Sequence, residues 1–248
     1  MKIAIATIAV GLPFRGACSE GTQTKRAYCK KWGYDFVYET RARDETRPVS
    51  WSKIKLIQAI LAQYDWVFWI DADTLIMDDS ISANSLIDQD SSFLICEDAV
   101  GMINAGVFLV KNTSLMHELL ADIYRREEFI HHGHWEQAAL CQILTEDHPY
   151  KEAIKILPQR TMNSYSWETA LPINEGYGPG IYHDGDFLVH LTNAKRPLKL
   201  FFLMKKYAGK LPLFSPLARL IQTFFGLLGL IHPKGKIGYL FFKTKIFG

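Results

Sequence analysis

Apolar residues along the chain form short runs that alternate with segments of helical periodicity. Strands are predicted over residues 2–9, 34–39, 66–70, 93–96, 106–110 and 187–190, and helices over 19–32, 115–126 and 135–144. The run at 66–70, WVFWI, is wholly apolar, which is typical of a strand buried on both faces. The alternation favours an α/β fold whose mostly parallel sheet is flanked by helices.

Single residues set the predicted helix boundaries in the first quarter of the chain. Ser19 and Ser50 are predicted N-caps, because a serine hydroxyl can accept from the free N–H groups of a first helical turn. Gly33 is the predicted stop of the 19–32 helix. After Ser50, Ile54, Ile57 and Leu61 recur at helical spacing and are predicted to face the core.

Charge is distributed unevenly along the chain. The 248 residues are 48% hydrophobic and 22% charged, which is a globular balance, and the formal net charge is only +2. From Lys195 to the C-terminus, however, eleven Lys and Arg occur with no Asp or Glu, which leaves 17 basic and 26 acidic residues in 1–194. The sequence therefore predicts an acidic domain over 1–197 and a basic segment over 198–248 with an anionic partner.

The four cysteines and the apolar runs indicate no disulfide framework and no membrane span. Cys18, Cys29, Cys96 and Cys141 show no metal-ligand spacing, so a zinc site is not expected and a reducing compartment is favoured. The apolar run at 2–9 is interpreted as a first strand rather than a signal peptide. No apolar run approaches ~18 residues, so no spanning helix is predicted.

Asp71-Ala72-Asp73 follows the most apolar strand directly and is the main candidate for chemistry. In an open parallel sheet, ligands bind at the carboxyl ends of strands. Carboxylates two residues apart on an extended segment face the same way and suit Mg²⁺ or Mn²⁺ carrying a diphosphate. The same spacing recurs at 88–90 and 184–186, which are interpreted as a solvated surface and a turn.

Several other residues are candidates on position alone. His190 ends another apolar strand, and Lys195 and Arg196 follow it, so an imidazole and two cations can converge on a metal-bound diphosphate. The small residues of 104–106 can let the backbone approach a sugar, or simply make a turn. The histidines of 131–134 are interpreted as solvated.

Five segments carry a resemblance to a known family. They are RPVSWSKIKLIQAILAQYDWVFWIDADTLI at 47–76, NAGVFLVKN at 104–112, EQAAL at 136–140, PQRTMNSYSW at 158–167 and GDFLVH at 185–190. In this order they resemble glycosyltransferase family 34, a group of retaining galactosyl-, xylosyl- and mannosyltransferases. The resemblance covers residues 1–197 and implies a GT-A fold with a metal-bound nucleotide-sugar donor.

The resemblance also implies roles for individual residues. The matched metal-binding positions are Asp71, Asp73 and His190. The matched catalytic positions, near the reacting sugar carbon, are Glu136 and Gln137. The residues expected to contact the nucleotide sugar are Thr7, Lys53, Asp71, Asn104, Gly106, Lys195 and Arg196.

The chain departs from the family pattern at two places. Trp135 stands where the family usually has a second acid, before Glu136. Asn193 and Ala194 replace the Gly-Cys that usually follows the His strand. Lys195 matches the phosphate-binding lysine of family 34, whereas the related H-x-x-G-x-x-K-P pattern of family 8 aligns with Arg196 and Pro197, so both cations stay open as the diphosphate ligand.

The expected function is a retaining glycosyltransferase that requires Mn²⁺ or Mg²⁺. It would transfer galactose, glucose, xylose or mannose from a nucleoside diphosphate sugar, UDP-linked by preference, to a glycan hydroxyl. One alternative is a nucleotidyltransferase that makes such sugars, for which Gly11–Gly16 is a poor phosphate loop. The other is a non-catalytic membrane-surface scaffold.

The basic C-terminal segment predicts a membrane partner, independently of the resemblance. Apolar residues between Leu217 and Ile231 fall on one face at helical spacing, and lysines and aromatics alternate from Lys234 onward. An anionic bilayer attracts each nearby cation by ~1 kcal/mol. We expect a peripheral protein of the cytoplasmic leaflet with a lipid-linked glycan acceptor and no nucleic-acid partner; a last helix packed on the domain is the alternative.

Overall fold

The apolar run Trp66–Ile70 forms a central strand of a six-stranded sheet in the computed structural model, which describes residues 1–98, 101–170, 180–194 and 196–210. All five of its residues are buried, as predicted for a strand covered on both faces. From one edge to the other, the sheet contains β2 (Asp35–Glu39), β1 (Ile3–Ile8), β3 (Trp66–Ile70), β6 (Ile103–Lys111), β5 (Phe93–Glu97) and β7 (Ile154–Leu157).

Strand direction brings distant segments together at the carboxyl end of β3. The pairings β1–β2, β1–β3 and β5–β7 are parallel, so the prediction of a mostly parallel sheet is confirmed. Strand β6 is antiparallel to both β3 and β5. Because of this reversal, the beginning of β6 lies beside the end of β3, and Asp71 N–H donates to Gly106 O at 2.8 Å.

A second sheet of three short strands positions His190. It contains β4 (Thr74–Ile76), β9 (Leu188–His190) and β8 (Ser164–Tyr165), in that order. Thr74 pairs with His190 in the antiparallel β4–β9 ladder, and Leu191 N–H donates to Asp73 O at 2.9 Å. The last residue of β9 is therefore adjacent to the segment that follows β3.

The helices around the sheets are α1 (Leu12–Ala17), α2 (Ser19–Trp32), α3 (Ser52–Ile60), α4 (Ala83–Leu86), α5 (Ser114–Arg125), α6 (Trp135–Thr145) and α7 (Pro197–Tyr207). Helices α2, α3, α5 and α6 lie close to predicted positions, whereas α1, α4 and α7 were not predicted. Gly33 ends α2 with a left-handed backbone (φ 72°), as predicted. Ile54, Ile57 and Leu61 are buried, as predicted.

Both predicted N-caps are wrong. Ser19 is the first residue of α2, whose N-cap position is Cys18 and has no side-chain cap. Ser50 lies in a short 3₁₀ turn, Val49–Trp51, that precedes α3, and its buried hydroxyl has no hydrogen-bond partner in the described part of the chain. The 3₁₀ turn replaces a hydrogen bond that a Ser50 cap would make, since Ser52 N–H donates to the carbonyl of Val49.

Helix α7 packs the beginning of the basic segment onto the domain. Leu200, Leu203 and Met204 are buried in a cluster with residues of α1, β4 and β9. Lys205 and Lys210 both pair with Glu20, and Lys206 pairs with Glu168, so three cations of this segment have partners in the acidic domain. Among the described helices, none is both long and apolar enough to cross a bilayer. Residues 211–248, with most of the predicted membrane segment, lie outside the described residues.

Helix α2 holds the segment after β3 through residues on one of its faces. Gly21 lies so close that a Cβ there would be 2.2 Å from Thr74 O. Thr24 Oγ1 accepts from Ile76 N–H at 3.2 Å, and buried Lys25 donates from Nζ to Thr74 O at 2.8 Å. These contacts from α2 therefore fix the backbone directly after Asp73.

We expect Gly21→Ala to lower the free energy of unfolding by about 1–3 kcal/mol, because a methyl group at this position forces the backbone of α2 and β4 apart. Gly16→Ala is the matched control, since a Cβ there meets no atom within 4 Å. Urea unfolding measures both variants. Equal stabilities would contradict the close backbone contact.

Candidate active site

Asp71, Asp73 and His190 converge at the junction of the two sheets. Each offers one ligand atom, and the three atoms lie within 4.8 Å of one another. His190 Nε2 is 3.3 Å from Asp73 Oδ1, and the ring is buried. The structure thus brings together the three residues that the sequence analysis expected to bind metal.

Lys53 links this cluster to Glu136. The ammonium lies 3.2 Å from Asp71 Oδ1 and 2.9 Å from Glu136 Oε1, and it donates to Ala105 O at 2.8 Å. Lys53 and Glu136 are both buried, and Glu136 Oε2 has no hydrogen-bond partner among the described residues. Trp69 Nε1 donates to the same Asp71 oxygen at 2.7 Å. Asp71 is therefore held by a cation and an indole.

Burial and nearby charges shift the pKa values in this cluster in different directions. Burial raises the pKa of Asp71, and the adjacent Lys53 only partly opposes it. Burial also acts to raise the pKa of Asp73, but the charged form of His190, which carries a proton on each nitrogen and donates from Nε2, outweighs it and lowers that pKa. For Lys53, burial is outweighed by Asp71 and Glu136, so its pKa lies above the usual value. The lysine therefore remains a cation.

Residues at the beginning of β6 complete the wall of the site. Asn104 Oδ1 accepts from Gly106 N–H and from Asn163 Nδ2, each at 2.9 Å. A Cβ at position 106 would be 2.4 Å from His190 Cε1 and 3.1 Å from Asp71 Oδ2. Glycine is thus required for these side chains to meet. Gln137, at the first turn of α6, accepts through Oε1 from Ala105 N–H at 3.0 Å.

A cleft opens beside the two aspartates. It is lined by Ile8, Phe14, Val49, Ser50, Lys53, Asp71, Ala72 and Asp73. The buried hydroxyl of Ser50 in this lining and that of Thr7 on β1 both lack hydrogen-bond partners in the described part of the chain. The cleft thus offers an apolar wall and the two carboxylates to a ligand.

The remaining predicted site residues lie elsewhere or are not described. Lys195 lies outside the described residues, and Arg196 is exposed where α7 begins. Trp135 is 42% exposed and has an unusual positive φ of 44° at the start of α6. Asp186 is buried and accepts from Ser164 Oγ and Arg160, so it stabilises the predicted turn at 184–186.

The donor set fits a divalent metal ion. Two carboxylates and one imidazole form a mixed oxygen and nitrogen set, which is suited to Mn²⁺ and, with the carboxylates alone, to Mg²⁺. The ring of His190 is fixed from behind, because its Nδ1 is 2.9 Å from Asn163 Oδ1 and Tyr165 packs edge-on at 5.7 Å. Such an outer contact is usual for a metal-binding histidine.

Sequence reasoning missed three residues that shape this site. Asn163, Lys25 and Trp69 contact the ligands or their backbone, but none received a role. Asn163 and Trp69 fall within segments that resemble the family, which was the only available signal for them. A lysine or an asparagine has no periodic pattern that marks it as a support for another side chain.

A family model described as the galactosyl transferase GMA12/MNN10 family matches residues 15–91 and 80–197. An uncharacterized alpha-1,2-galactosyltransferase of Schizosaccharomyces pombe is 24% identical over 215 residues, which are 69% of this chain and 55% of the relative. The probable alpha-1,6-mannosyltransferase MNN10 of Saccharomyces cerevisiae is 27% identical over 187 residues, 58% of this chain and 46% of the relative. The chain spans about half the length of these curated relatives.

Solved structures confirm the fold. A glycosyltransferase involved in the glycosylation of the major capsid of PBCV-1 superposes with a TM-score of 0.62 at 16% identity, covering 83% of this chain and 100% of that one. The glycosyltransferase GlyE of Streptococcus pneumoniae gives a TM-score of 0.52 at 13% identity, covering 96% and 66%. The predicted GT-A architecture is therefore confirmed.

Proposed function

Since the chain belongs to the galactosyl transferase GMA12/MNN10 family of glycosyltransferases, we propose that it is a metal-dependent, retaining enzyme that uses a nucleoside diphosphate sugar. The sugar is a hexose or pentose such as galactose, glucose, mannose or xylose, UDP is the preferred carrier, and the acceptor is a glycan hydroxyl. The names of the fungal relatives, a galactosyltransferase and a mannosyltransferase, support galactose and mannose within this range.

The convergence of Asp71, Asp73 and His190 beside an open cleft is the observation that carries this proposal. A bound Mn²⁺ or Mg²⁺ would neutralise the charge that develops on the departing diphosphate. Neither a nucleotidyltransferase nor a scaffold is favoured, because the family match covers the whole metal-ligand set and Asp71, Asp73 and His190 are all present.

The residues around the cluster hold the reacting groups in place. Lys53 favours the ionised form of Asp71 and fixes Glu136, so Glu136 supports the site through an ion pair. Gln137 is anchored through its carbonyl oxygen, and its amide nitrogen is left to donate to the sugar. In the front-face route, the acceptor oxygen bonds to the anomeric carbon on the face that the diphosphate leaves, and the hydroxyl proton passes to the leaving phosphate.

Donor-side contacts extend from the cleft to the beginning of α7. We assign Thr7, Asn104 and Gly106 to the donor side, because they lie on the strands that border the metal cluster. Either Lys195 or Arg196 contacts the diphosphate, because both follow β9 within a few residues of His190. A charge-assisted contact of this kind is worth about 1.5–3 kcal/mol.

Donor hydrolysis by the wild-type protein tests the proposed function. The protein is incubated with a panel of UDP- and GDP-sugars and Mn²⁺, and free nucleotide is quantified with and without EDTA. We expect one donor to be cleaved slowly, and only with metal. Cleavage unaffected by EDTA would contradict metal dependence, and no nucleotide release in any arm would favour a scaffold.

The basic segment 198–248 is proposed to bring the enzyme to an anionic membrane surface of the cytoplasmic leaflet, where a lipid-linked glycan is the acceptor. Lys205, Lys206 and Lys210 are engaged with the domain, so the remaining cations of the segment supply the attraction. Interleaved aromatics would add apolar contact with the headgroup region.

Co-sedimentation with vesicles checks this proposal. We expect the full chain to bind phosphatidylserine vesicles at low salt and to release from them as salt rises. One variant changes four tail lysines to glutamine: Lys234, Lys236, Lys243 and Lys245. The charge-matched control changes four exposed lysines of the domain: Lys2, Lys30, Lys31 and Lys151. Equal binding by both variants would contradict a membrane role for the tail.

A further inference from the structure

A chain of amide hydrogen bonds connects strand β6 to the ring of His190. Gly106 N–H donates to Asn104 Oδ1, Asn163 Nδ2 donates to the same oxygen, and Asn163 Oδ1 faces His190 Nδ1, each at 2.9 Å. Asn163 is completely buried and His190 is 3% exposed. Water is therefore largely excluded from the hydrogen bond between Asn163 and the ring of His190.

The backbone fixes the direction of every bond in this chain. The N–H of Gly106 can only donate, so Asn104 must present its oxygen. That oxygen can only accept, so Asn163 must present its NH₂ group to Asn104 and its own oxygen to His190. An oxygen that only accepts requires a proton on His190 Nδ1.

We propose that Asn163 is a positioning residue that keeps a proton on Nδ1 of His190, so that Nε2 carries the lone pair on the side of Asp73. The use of that lone pair for metal binding rests on the proposed function. The position of the proton does not, because it follows from the hydrogen-bond chain alone.

The neutral ring of His190 has a second favourable tautomer when Asn163 is removed. Nε2 lies 3.3 Å from Asp73 Oδ1, so a proton on Nε2 would make a hydrogen bond to a carboxylate. That tautomer occupies the lone pair that a metal ion needs. Rotation of the ring does not help, because Gly106 and Tyr165 pack closely against it.

Nitrogen-15 NMR of the full chain, labelled at histidine and freed of metal, tests the proton position directly. The signals of His190 are assigned by their loss in His190→Gln. At a pH that leaves the imidazole neutral, we expect the protonated nitrogen to be Nδ1. A wild-type His190 with its proton on Nε2 would overturn the inference; the proton position is read from the wild-type protein, and His190→Gln serves only to assign the signals.

Two substitutions at position 163 test whether the hydrogen-bond acceptor, rather than the volume of the side chain, fixes the proton on His190. Asn163→Ala should move the proton to Nε2, whereas Asn163→Asp should keep it on Nδ1, because a carboxylate also accepts there. Asn112→Ala is the matched control, since it removes another Asn–His contact, the exposed one to His117 Nε2 at 3.0 Å, and should leave His190 unchanged. The same tautomer in the alanine and aspartate variants would overturn the inference, because it would reduce Asn163 to a space-filling role.

Mn²⁺ affinity, measured by electron paramagnetic resonance, connects the tautomer to the metal. We expect Asn163→Ala to bind Mn²⁺ about 10–100-fold more weakly than wild type. A shifted tautomer with unchanged affinity would overturn the positioning role. A wild type with the proton on Nδ1 but without Mn²⁺ binding would contradict the proposed function and still support the assigned tautomer.

Discussion

Asp73→Ala is expected to abolish Mn²⁺-dependent nucleotide binding while the protein stays folded. Asp73 supplies one of the three ligand atoms, and its carboxylate faces His190 Nε2 at 3.3 Å. Outer contacts of a metal site alone are worth 10–100-fold in affinity, so loss of a ligand should weaken Mn²⁺ binding by at least about 100-fold. Calorimetric titration of UDP and GDP, with Mn²⁺ and with EDTA, measures the change.

Asp90→Ala is the matched control for this variant. Asp90 belongs to a second Asp-x-Asp sequence, but it is exposed on the surface, where Asp88 of the same sequence pairs with Lys155. The Asp90→Ala protein should bind metal and nucleotide as the wild type does. Thermal unfolding without metal shows whether Asp73→Ala remains folded. Unchanged metal-dependent binding by the folded Asp73 variant would exclude this site.

Lys53→Met is expected to cost about 3–5 kcal/mol of unfolding free energy, because it removes the cation from two partly or wholly buried carboxylates. The side chain of Glu136 is 5% exposed and has no other ion-pair partner among the described residues. Among the described residues, the Asp71 carboxylate would keep only the hydrogen bond from the indole of Trp69. Nucleotide turnover should fall as well, since Asp71 loses the cation that favours its ionised form.

Urea unfolding of single and double variants identifies the cause. Adding Glu136→Leu to Lys53→Met should recover much of the loss, since the unpaired buried charge is then gone. Lys31→Met is the matched control, because Lys31 and Asp79 form an exposed ion pair at 2.7 Å and its loss should not be detectable. A double variant no more stable than Lys53→Met would mean that lost packing of the lysine stem causes the effect.

Local pattern was sufficient for the elements that create the site. The apolar run at 66–70 predicted the buried strand β3, and the aspartates after it predicted the end of that strand where the candidate metal cluster lies. Gly33 predicted the end of α2. These features depend on burial of one segment or on the conformation of one residue, and both are encoded within a few neighbouring positions.

Chain direction was the first feature that the sequence did not reveal. Residues 104–106 were open to interpretation as a simple turn, but β6 runs antiparallel to β3 and brings them against Asp71. An apolar strand pattern is the same in either direction, so periodicity does not distinguish the two pairings. Placement of Gly106 between Asp71 and His190 therefore required the tertiary structure.

For the basic segment, too, the sequence does not show which residues are in contact, and here the contacts are ion pairs. Its composition predicted an anionic partner, and in the structure Lys205 and Lys206 find partners 185 and 38 residues away, in Glu20 and Glu168. Composition records how many cations there are, and only the packing of α7 decides which of them are neutralised within the chain.

The sequence by itself thus determined the strand β3, the two aspartates at its end, the histidine of β9 and the family of the domain. Tertiary structure decided what surrounds them: Lys53 beside Asp71, and Asn163 behind His190. The reason is physical. A ligand is marked by the strand that it ends, whereas a supporting side chain is defined only by the neighbour that it contacts, and that neighbour lies far away along the chain.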